Sequence, residues 1–206
     1  MIYRLLKFLA RIVLAVLRRW EVRGVDNLPA IGGMVLVANH VSYWDPVVVI
    51  CAFQRKVHFM AKSELFRIPI VGYAVKVSGA FPVRRDRSDR SAIRTALRLL
   101  GEGKVVGVFP EGTRSRTGEL LKPHAGAAML ALKAGVPMLP VAVSGTRGVF
   151  GKIRVLIGEP VQFQEGIRAT RDAAEKASDK VMRQISSLLA GVSPETSLKY
   201  SVKKEN

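Results

Sequence analysis

One stretch decides the fold of this 206-residue chain: residues 34–53, MVLVANHVSYWDPVVVICAF. Its first five residues, Met34 to Ala38, are all apolar, as in a strand that is buried on both faces of a parallel sheet. A polar turn follows, and Asp45-Pro46 then opens a second apolar run, since proline is tolerated in the first turn of a helix. The stretch therefore predicts a strand, a turn and a packed helix, the repeating unit of an α/β sheet.

The same alternation continues along the rest of the chain, after a glycine- and proline-broken connector over 21–33. Strands are predicted over 34–38, 56–61, 80–83, 105–109, 138–143 and 153–157, and helices over 44–53, 64–76, 88–100, 126–134 and 170–189. This pattern predicts an α/β fold with a central mixed, largely parallel β-sheet flanked by helices. The predicted organisation is an N-terminal helix over 1–20, one domain over 21–192 and a polar tail over 193–206.

The charge balance of the chain favours binding partners that are negatively charged. It has 33 lysines and arginines against 16 acidic residues, a net charge of +17. Such a surface favours nucleic acid, an acidic membrane face or phosphorylated small molecules. A single cysteine, Cys51, excludes both a disulfide framework and a cysteine-based metal site, and it favours a reducing compartment.

The first twenty residues favour a membrane surface over nucleic acid. At about 100° per residue their five charges fall within roughly a third of the helix circumference, and the rest is apolar. The charged residues are Arg4, Lys7, Arg11, Arg18 and Arg19. The longest uncharged stretch, 12–17, is far shorter than the roughly 20 residues that cross a bilayer. The pattern predicts an interfacial helix with its apolar face in the acyl boundary and its arginines at anionic headgroups. Packing of this helix on the domain's own core is the alternative.

A histidine and a carboxylate flank the polar turn of the opening stretch. His40 follows the first strand, and Asp45 begins the next helix. Five residues apart on one helix their side chains would point about 140° apart, but across a strand–turn–helix they can converge. Asp45 would then hold one imidazole nitrogen so that the other acts as a base. A surface histidine beside a helix-capping aspartate is the alternative.

Basic and hydroxyl groups follow three other predicted strands. The loop over 109–116, FPEGTRSR, has a glycine that allows close approach of a ligand, together with groups that suit phosphate oxygens. The candidates for substrate binding are Lys62, Arg84, Glu111, Gly112, Thr113 and Arg114. A solvated basic edge is the alternative for the arginines. The chain has no P-loop, no G-x-G-x-x-G motif and no metal-ligand cluster, so we predict neither a cofactor nor a metal.

Two residues with nucleophilic side chains are not assigned to catalysis. Ser42 lacks a G-x-S-x-G elbow and lies two residues from His40, so we expect it to hydrogen-bond within the turn. Cys51 lies inside an apolar helix, where we expect it to be buried and inert.

The chain resembles the glycerolipid acyltransferases of the 1-acylglycerol-3-phosphate acyltransferase type. Four blocks match in order: N-H-x-S-x-x-D at 39–45, a glycine-aromatic-arginine block at 79–84, F-P-E-G-T-R-S at 109–115 and V-P-x-x-P-V at 136–141. A lysine before a Glu-Leu pair also matches, at Lys62. Four blocks in order are far more specific than any one alone, and together they span residues 39 to 141.

The resemblance implies an enzyme with an acyltransferase domain over 21–192 and His40 and Asp45 as its catalytic pair. It places Lys62, Arg84, Glu111, Gly112 and Arg114 in substrate binding and gives Pro140 a part in shaping the acyl site. The implied reaction moves a fatty acyl group from acyl-CoA or acyl carrier protein to lysophosphatidic acid, giving phosphatidic acid without a covalent acyl-enzyme. The implied partners are these substrates and an anionic membrane surface, not nucleic acid. The implied location is the cytoplasmic face of the cell membrane, monotopic or peripheral.

One departure from the family pattern leaves a second acceptor open. Many members that acylate lysophosphatidic acid have an acidic residue before the arginine of the second block, where this chain has Val83. The doubled arginine, Arg84-Arg85, also occurs in glycerol-3-phosphate acyltransferases, so glycerol 3-phosphate or another lysophospholipid is an alternative acceptor. A basic nucleic-acid-binding module is the alternative from another class, and it would require exposed aromatic residues among the basic ones.

Overall fold

The computed structural model describes residues 2–84, 89–148, 151–164 and 167–191. The polar tail predicted over 193–206 lies outside these residues, and so does Arg85. The helices are α1 (Ile2–Arg18), α2 (Asp45–Ala52), α3 (Pro69–Ser78), α4 (Arg90–Gly101), α5 (Gly126–Ala134) and α6 (Arg171–Ala190). The strands are β1 (Glu21–Arg23), β2 (Met34–Ala38), β3 (Val57–Lys62), β4 (Phe81–Val83), β5 (Val105–Val108), β6 (Met138–Ser144) and β7 (Arg154–Ile157).

The strands form one sheet in the order β1-β7-β6-β2-β5-β3-β4. Neighbouring strands from β6 to β4 run parallel. β7 runs antiparallel to β6, and β1 pairs with β7 in parallel. The predicted mixed, largely parallel sheet flanked by helices is therefore confirmed.

The continuous apolar runs arise because the central strands are covered on both faces. Every residue of β2 is buried, and alternate residues contribute to two separate cores. Val35 and Val37 pack towards α4, α5 and α6, whereas Leu36 and Ala38 pack towards α1 and α2. The strand–turn–helix predicted for residues 34–53 is thus fixed by burial on both sides.

Two segments differ from the sequence-based prediction. The connector predicted over 21–33 contains β1, whose residues Glu21–Arg23 pair with residues 154–156. This strand was missed because three residues at a sheet edge are too few to show a periodicity. The helical segment predicted over 64–76, with its proline and glycine interruptions, is a 3₁₀ turn, Ser63–Arg67, followed by α3, which Pro69 begins.

Helix α1 packs on the domain with its narrow polar side. Leu14 and Arg18 are buried, and the Lys7 ammonium donates to the carbonyl oxygen of Phe53. The guanidinium of Arg11 lies 5.7 Å from the Trp20 ring. The prediction that the arginines lie at anionic headgroups is therefore wrong for Arg18, because it is buried and donates to backbone carbonyl oxygens of the domain.

The wide apolar side of α1 faces outward. Its exposed large apolar residues are Ile2, Leu5, Leu6, Phe8, Leu9, Ile12, Val13, Val16 and Leu17, with Val16 73% exposed. A helix that covers only a soluble core has the reverse orientation, with its apolar stripe inward. Among the described residues, none of the helices is both long and apolar enough to cross a bilayer.

Candidate active site

The site begins where β2 ends, at Asn39. The Asn39 side chain is buried, donates to the carbonyl oxygen of Val143 (2.9 Å) and accepts from the amide of Val143 (2.8 Å). The amide group thereby continues the pairing of β2 with β6 by one step, because it offers the same donor and acceptor as a peptide. His40 consequently leaves the sheet at its carboxyl edge, where ligands bind in open α/β folds.

The structure brings His40 and Asp45 together. The Nδ1 atom of His40 lies 2.9 Å from Oδ2 of Asp45, whose side chain is completely buried, while the His40 side chain is 13% exposed. The same oxygen accepts from the backbone amides of Val41 (2.6 Å) and Ser42 (2.7 Å), so the carboxylate closes the turn. With the carboxylate as acceptor, Nδ1 holds the proton and Nε2 keeps a free lone pair, the tautomer that a general base requires.

Two aromatic rings fix the plane of the imidazole. The His40 ring stacks on Phe109 with 4.1 Å between centroids, and Phe109 stacks in turn on Phe59 at 5.0 Å. Because Phe59 is buried in the core, this stack connects the imidazole to the rigid sheet. The imidazole is thereby held in one orientation before any substrate arrives.

Glu111 braces the turn that carries His40. Its Oε1 accepts from the His40 amide (2.8 Å) and its Oε2 from the Leu121 amide (3.0 Å), and the residue is buried. Burial raises the pKa of Glu111 to about 7, with a further contribution from the charge of Asp45, although the two amide hydrogen bonds oppose the shift. Glu111 therefore joins two loops of the site, and its assignment to substrate binding stays a prediction.

A groove of about 620 Å³ opens at the carboxyl ends of β4 and β5. Four of the predicted substrate-binding residues line it, namely Arg84, Glu111, Gly112 and Thr113. Its apolar wall includes Met60, Val83, Ile93 and Val108. Phe109 and Glu111 belong to the lining and both contact His40, so the groove lies beside the His40–Asp45 pair.

Arg84 and Gly112 contribute to this groove in different ways. The Arg84 side chain is half exposed, and its Nε lies 3.6 Å from Oδ2 of Asp89, which also caps α4. Gly112 has a φ of 68°, and a β-carbon there would lie 3.1 Å from the His124 ring. Only glycine takes this conformation without strain, so the loop approaches His124 more closely than another residue would allow.

Lys62 and Arg114 lie outside the groove lining. Lys62 ends β3 and pairs with Glu64 at 3.1 Å on the surface. The guanidinium of Arg114 lies 3.5 Å from the centre of the Tyr43 ring and donates to its hydroxyl (2.8 Å). Arg114 thus connects the loop after β5 to the His40–Asp45 turn, and the phosphate-binding roles of both cations stay predictions.

Three further predictions can be compared with the structure. Ser42 accepts from the Trp44 amide within the turn (3.2 Å), and Cys51 is buried with its thiol pKa raised by burial, as expected. Pro140 does not line this groove, and its ring lies beside Gly158. Its part in shaping the acyl site stays a prediction.

Thr146 was missed by the sequence analysis. It is buried, and its hydroxyl donates to Oδ1 of Asp45 at 2.6 Å. The signal was available, because Ser144-Gly145-Thr146 ends the apolar run of β6 in the way that His40 follows β2. His124 also lines the groove, and the sequence analysis gave it no role.

Comparisons with known proteins agree with this geometry. The acyltransferase family model matches residues 19–144. The 1-acyl-sn-glycerol-3-phosphate acyltransferase of Bacillus subtilis is 34% identical over 73% of this chain and 78% of that protein. The protein of the same name from Borreliella burgdorferi is 37% identical over 64% of this chain. The match covers 53% of the Borreliella protein, so this chain spans about half of its length. The crystal structure of the 1-acyl-sn-glycerophosphate (LPA) acyltransferase PlsC from Thermotoga maritima has a TM-score of 0.75 at 30% identity, covering 91% of this chain and 80% of that one. The matched region contains β2 and β5, the strands that precede His40 and Glu111, and we conclude that this chain belongs to the acyltransferase family.

Proposed function

We propose that this protein transfers a fatty acyl group from an acyl thioester to the free hydroxyl of 1-acyl-sn-glycerol 3-phosphate, giving phosphatidic acid. The observation that supports this most directly is the buried Asp45 bound to His40 Nδ1, beside a groove with an apolar wall and Arg84. The names of the relatives in Bacillus subtilis and Borreliella burgdorferi support the same acceptor.

The reaction proceeds by direct transfer between the two substrates. The Nε2 atom of His40 takes the proton of the acceptor hydroxyl as its oxygen attacks the thioester carbonyl carbon. Asp45 stabilises the imidazolium that forms. When the tetrahedral intermediate collapses, the carbon–sulfur bond breaks, the ester remains on the acceptor, and the thiolate takes the proton from His40. No covalent acyl-enzyme forms, which agrees with the turn-bound hydroxyl of Ser42 and the burial of Cys51.

The groove offers separate regions for the two ends of a lysophospholipid. Arg84 and Thr113 provide a cation and a hydroxyl for the phosphate, and Met60, Ile93 and Val108 provide an apolar wall for an acyl chain. Lys62 and Arg114 lie at neighbouring strand ends and would add to the positive field there. Acyl-CoA and acyl carrier protein both present the thioester that this chemistry requires, and no cofactor or metal enters the mechanism.

Glycerol 3-phosphate is the second candidate acceptor, because Val83 precedes Arg84 where an acidic residue is common in the family. This smaller acceptor would use Arg84 in the same way but would leave the apolar wall without an acyl chain of its own.

The outward apolar side of α1 supports a site at a membrane surface. Helix α3, which contacts α1, also exposes apolar residues: Ile70 is 85% exposed and Tyr73 57%. We place the protein as a monotopic or peripheral protein on the cytoplasmic face of the cell membrane, where its lipid acceptor lies.

Thiol release from a long-chain acyl-CoA tests the proposal. We expect release by the wild type that depends on lysophosphatidic acid, and a fall of about 10²- to 10⁴-fold in His40→Ala, since this is what general-base catalysis typically contributes. Circular dichroism shows whether the variant is folded, and Lys176→Ala, on the exposed side of α6, is the surface control. Release with glycerol 3-phosphate alone would favour the second acceptor. Full activity in a folded His40→Ala protein would contradict the proposal. So would the absence of release with either acceptor when acyl-CoA and then acyl carrier protein are supplied as donors.

A further inference from the structure

The hydroxyl of Thr146 binds the oxygen of Asp45 that faces away from His40. Thr146 Oγ1 lies 2.6 Å from Oδ1 of Asp45, and the two residues are 1% and 0% exposed. The other oxygen, Oδ2, receives His40 Nδ1 and the amides of Val41 and Ser42. Thr146 lies outside the four sequence blocks, 101 residues from Asp45 along the chain.

This contact is short and isolated from water. Hydrogen bonds to a charged group are shorter and stronger than those between neutral groups, and they matter most where water cannot replace them. A carboxylate held through one oxygen can rotate about the bond to its β-carbon. With Thr146 on the second oxygen, the plane of the carboxylate is fixed, and Oδ2 stays directed at Nδ1.

The loop over 145–148 is itself anchored from two sides. The guanidinium of Arg18, at the end of α1, donates to the carbonyl oxygens of Gly145 and Gly148, both at 2.6 Å. Arg147 donates to the carbonyl oxygen of Ser115 in the loop after β5 (2.6 Å). The hydroxyl of Thr146 is therefore presented by a loop that α1 and the loop after β5 hold in place.

Gly145 gives this loop the backbone conformation that brings Thr146 to Asp45. Its φ is 75°, and a β-carbon there would lie 2.1 Å from the carbonyl oxygen of Lys152. A close backbone approach of this kind leaves room for glycine alone. The geometry thus shows a fixed loop whose one buried hydroxyl is directed at the dyad carboxylate.

We propose that Thr146 is a positioning residue for the acyl transfer, acting through Asp45 on the orientation of His40. This inference rests on the proposed function, since it assumes that His40 is the base. Without the hydroxyl, Oδ1 of Asp45 loses its partner and the carboxylate can rotate, so the imidazole samples more orientations.

The test compares Thr146→Val, which keeps the shape and loses the hydroxyl, with Thr146→Ser, which keeps the hydroxyl. For Thr146→Val we expect kcat to fall about 10-fold or more with little change in KM, because one hydrogen bond to a charged group is lost. Thr146→Ser should retain most of the kcat of the wild type. Thermal unfolding of both variants separates a loss of positioning from a loss of fold.

A spectroscopic readout makes the inference testable apart from activity. In protein with isotope-labelled histidine, the Nδ1 proton of His40, assigned by its absence in His40→Ala, should exchange with water faster in Thr146→Val than in Thr146→Ser. Wild-type kcat and wild-type exchange in a folded Thr146→Val protein would overturn the positioning role even if His40→Ala is inactive. An inactive wild type whose His40 proton still responds to Thr146→Val would overturn the proposed function and leave the positioning contact standing.

Discussion

The carboxyl of Glu111 has a protonation state unlike that of an exposed glutamate. Its two oxygens receive backbone amides, but burial and the nearby charge of Asp45 raise its pKa from 4.5 to about 7. A raised folded-state pKa stabilises the fold fully below the unfolded value, and this contribution is lost as the pH rises through the folded value. The contribution of Glu111, which links the His40 turn to Leu121, to the free energy of unfolding therefore depends on pH.

We predict that Glu111→Gln removes part of the pH dependence of unfolding. Between pH 5 and pH 8 the free energy of unfolding of the wild type should fall by up to about 3 kcal/mol more than that of the variant, because each unit of pKa shift is worth about 1.4 kcal/mol. Denaturant titrations at several pH values measure this difference. Glu159→Gln, at an exposed position, should follow the wild type. Parallel curves for wild type and Glu111→Gln would show that Glu111 titrates at an ordinary pH.

Among the strands and helices, those that are buried on both faces could be predicted from the sequence, and the exposed edge could not. β2 and β6 were recognised because strands covered on both faces are apolar throughout, and α5 was predicted with its observed bounds. β1 was missed because three residues at a sheet edge carry no pattern. His40 and Asp45 were found because they are neighbours in one turn. Thr146 was not found, although it follows an apolar run as His40 does. Nothing in the sequence pairs it with Asp45, 101 residues away, because the contact forms only when β6 lies beside β2.

Helix α1 shows the same limit in its orientation. The periodicity predicted a wide apolar side, but it could not tell which side the domain would take. The structure turns Lys7, Leu14 and Arg18 inward and leaves the apolar side outward. We propose that a membrane removes this surface from water.

We therefore predict that the outward side of α1 supplies the apolar part of membrane binding. The double variant Leu5→Glu and Val16→Glu, at positions 56% and 73% exposed, should bind vesicles at least about 10-fold more weakly, since burial of one such side chain is worth about 1.5–3 kcal/mol. Co-sedimentation with vesicles of phosphatidylcholine and phosphatidylglycerol measures the binding. The variant Lys176→Ala and Ser187→Glu lowers the net charge equally on α6 and is the matched control. Equal loss in both variants would mean that charge alone, and not the apolar side of α1, determines binding.

The whole molecule combines this apolar side with a net charge of +17, and the two contributions respond differently to salt. Attraction to an anionic surface is screened within about 10 Å at 0.1 M ionic strength, whereas burial of apolar surface is not weakened by salt. Lys7 and Arg18 donate hydrogen bonds to backbone carbonyl oxygens of the domain. The other lysines and arginines therefore supply the long-range attraction to an anionic membrane.

We predict that binding to vesicles containing phosphatidylglycerol weakens as salt rises from about 0.05 to 0.5 M and then levels off at the affinity for pure phosphatidylcholine. The remaining affinity is the contribution of the apolar side of α1, so the double variant with glutamates at positions 5 and 16 should lose it. Activity towards a lysophosphatidic acid presented in the same vesicles should follow the bound fraction, because the acceptor lies in the membrane. Binding that vanishes at high salt in the wild type would show that the outward apolar side of α1 does not enter the bilayer and has another partner.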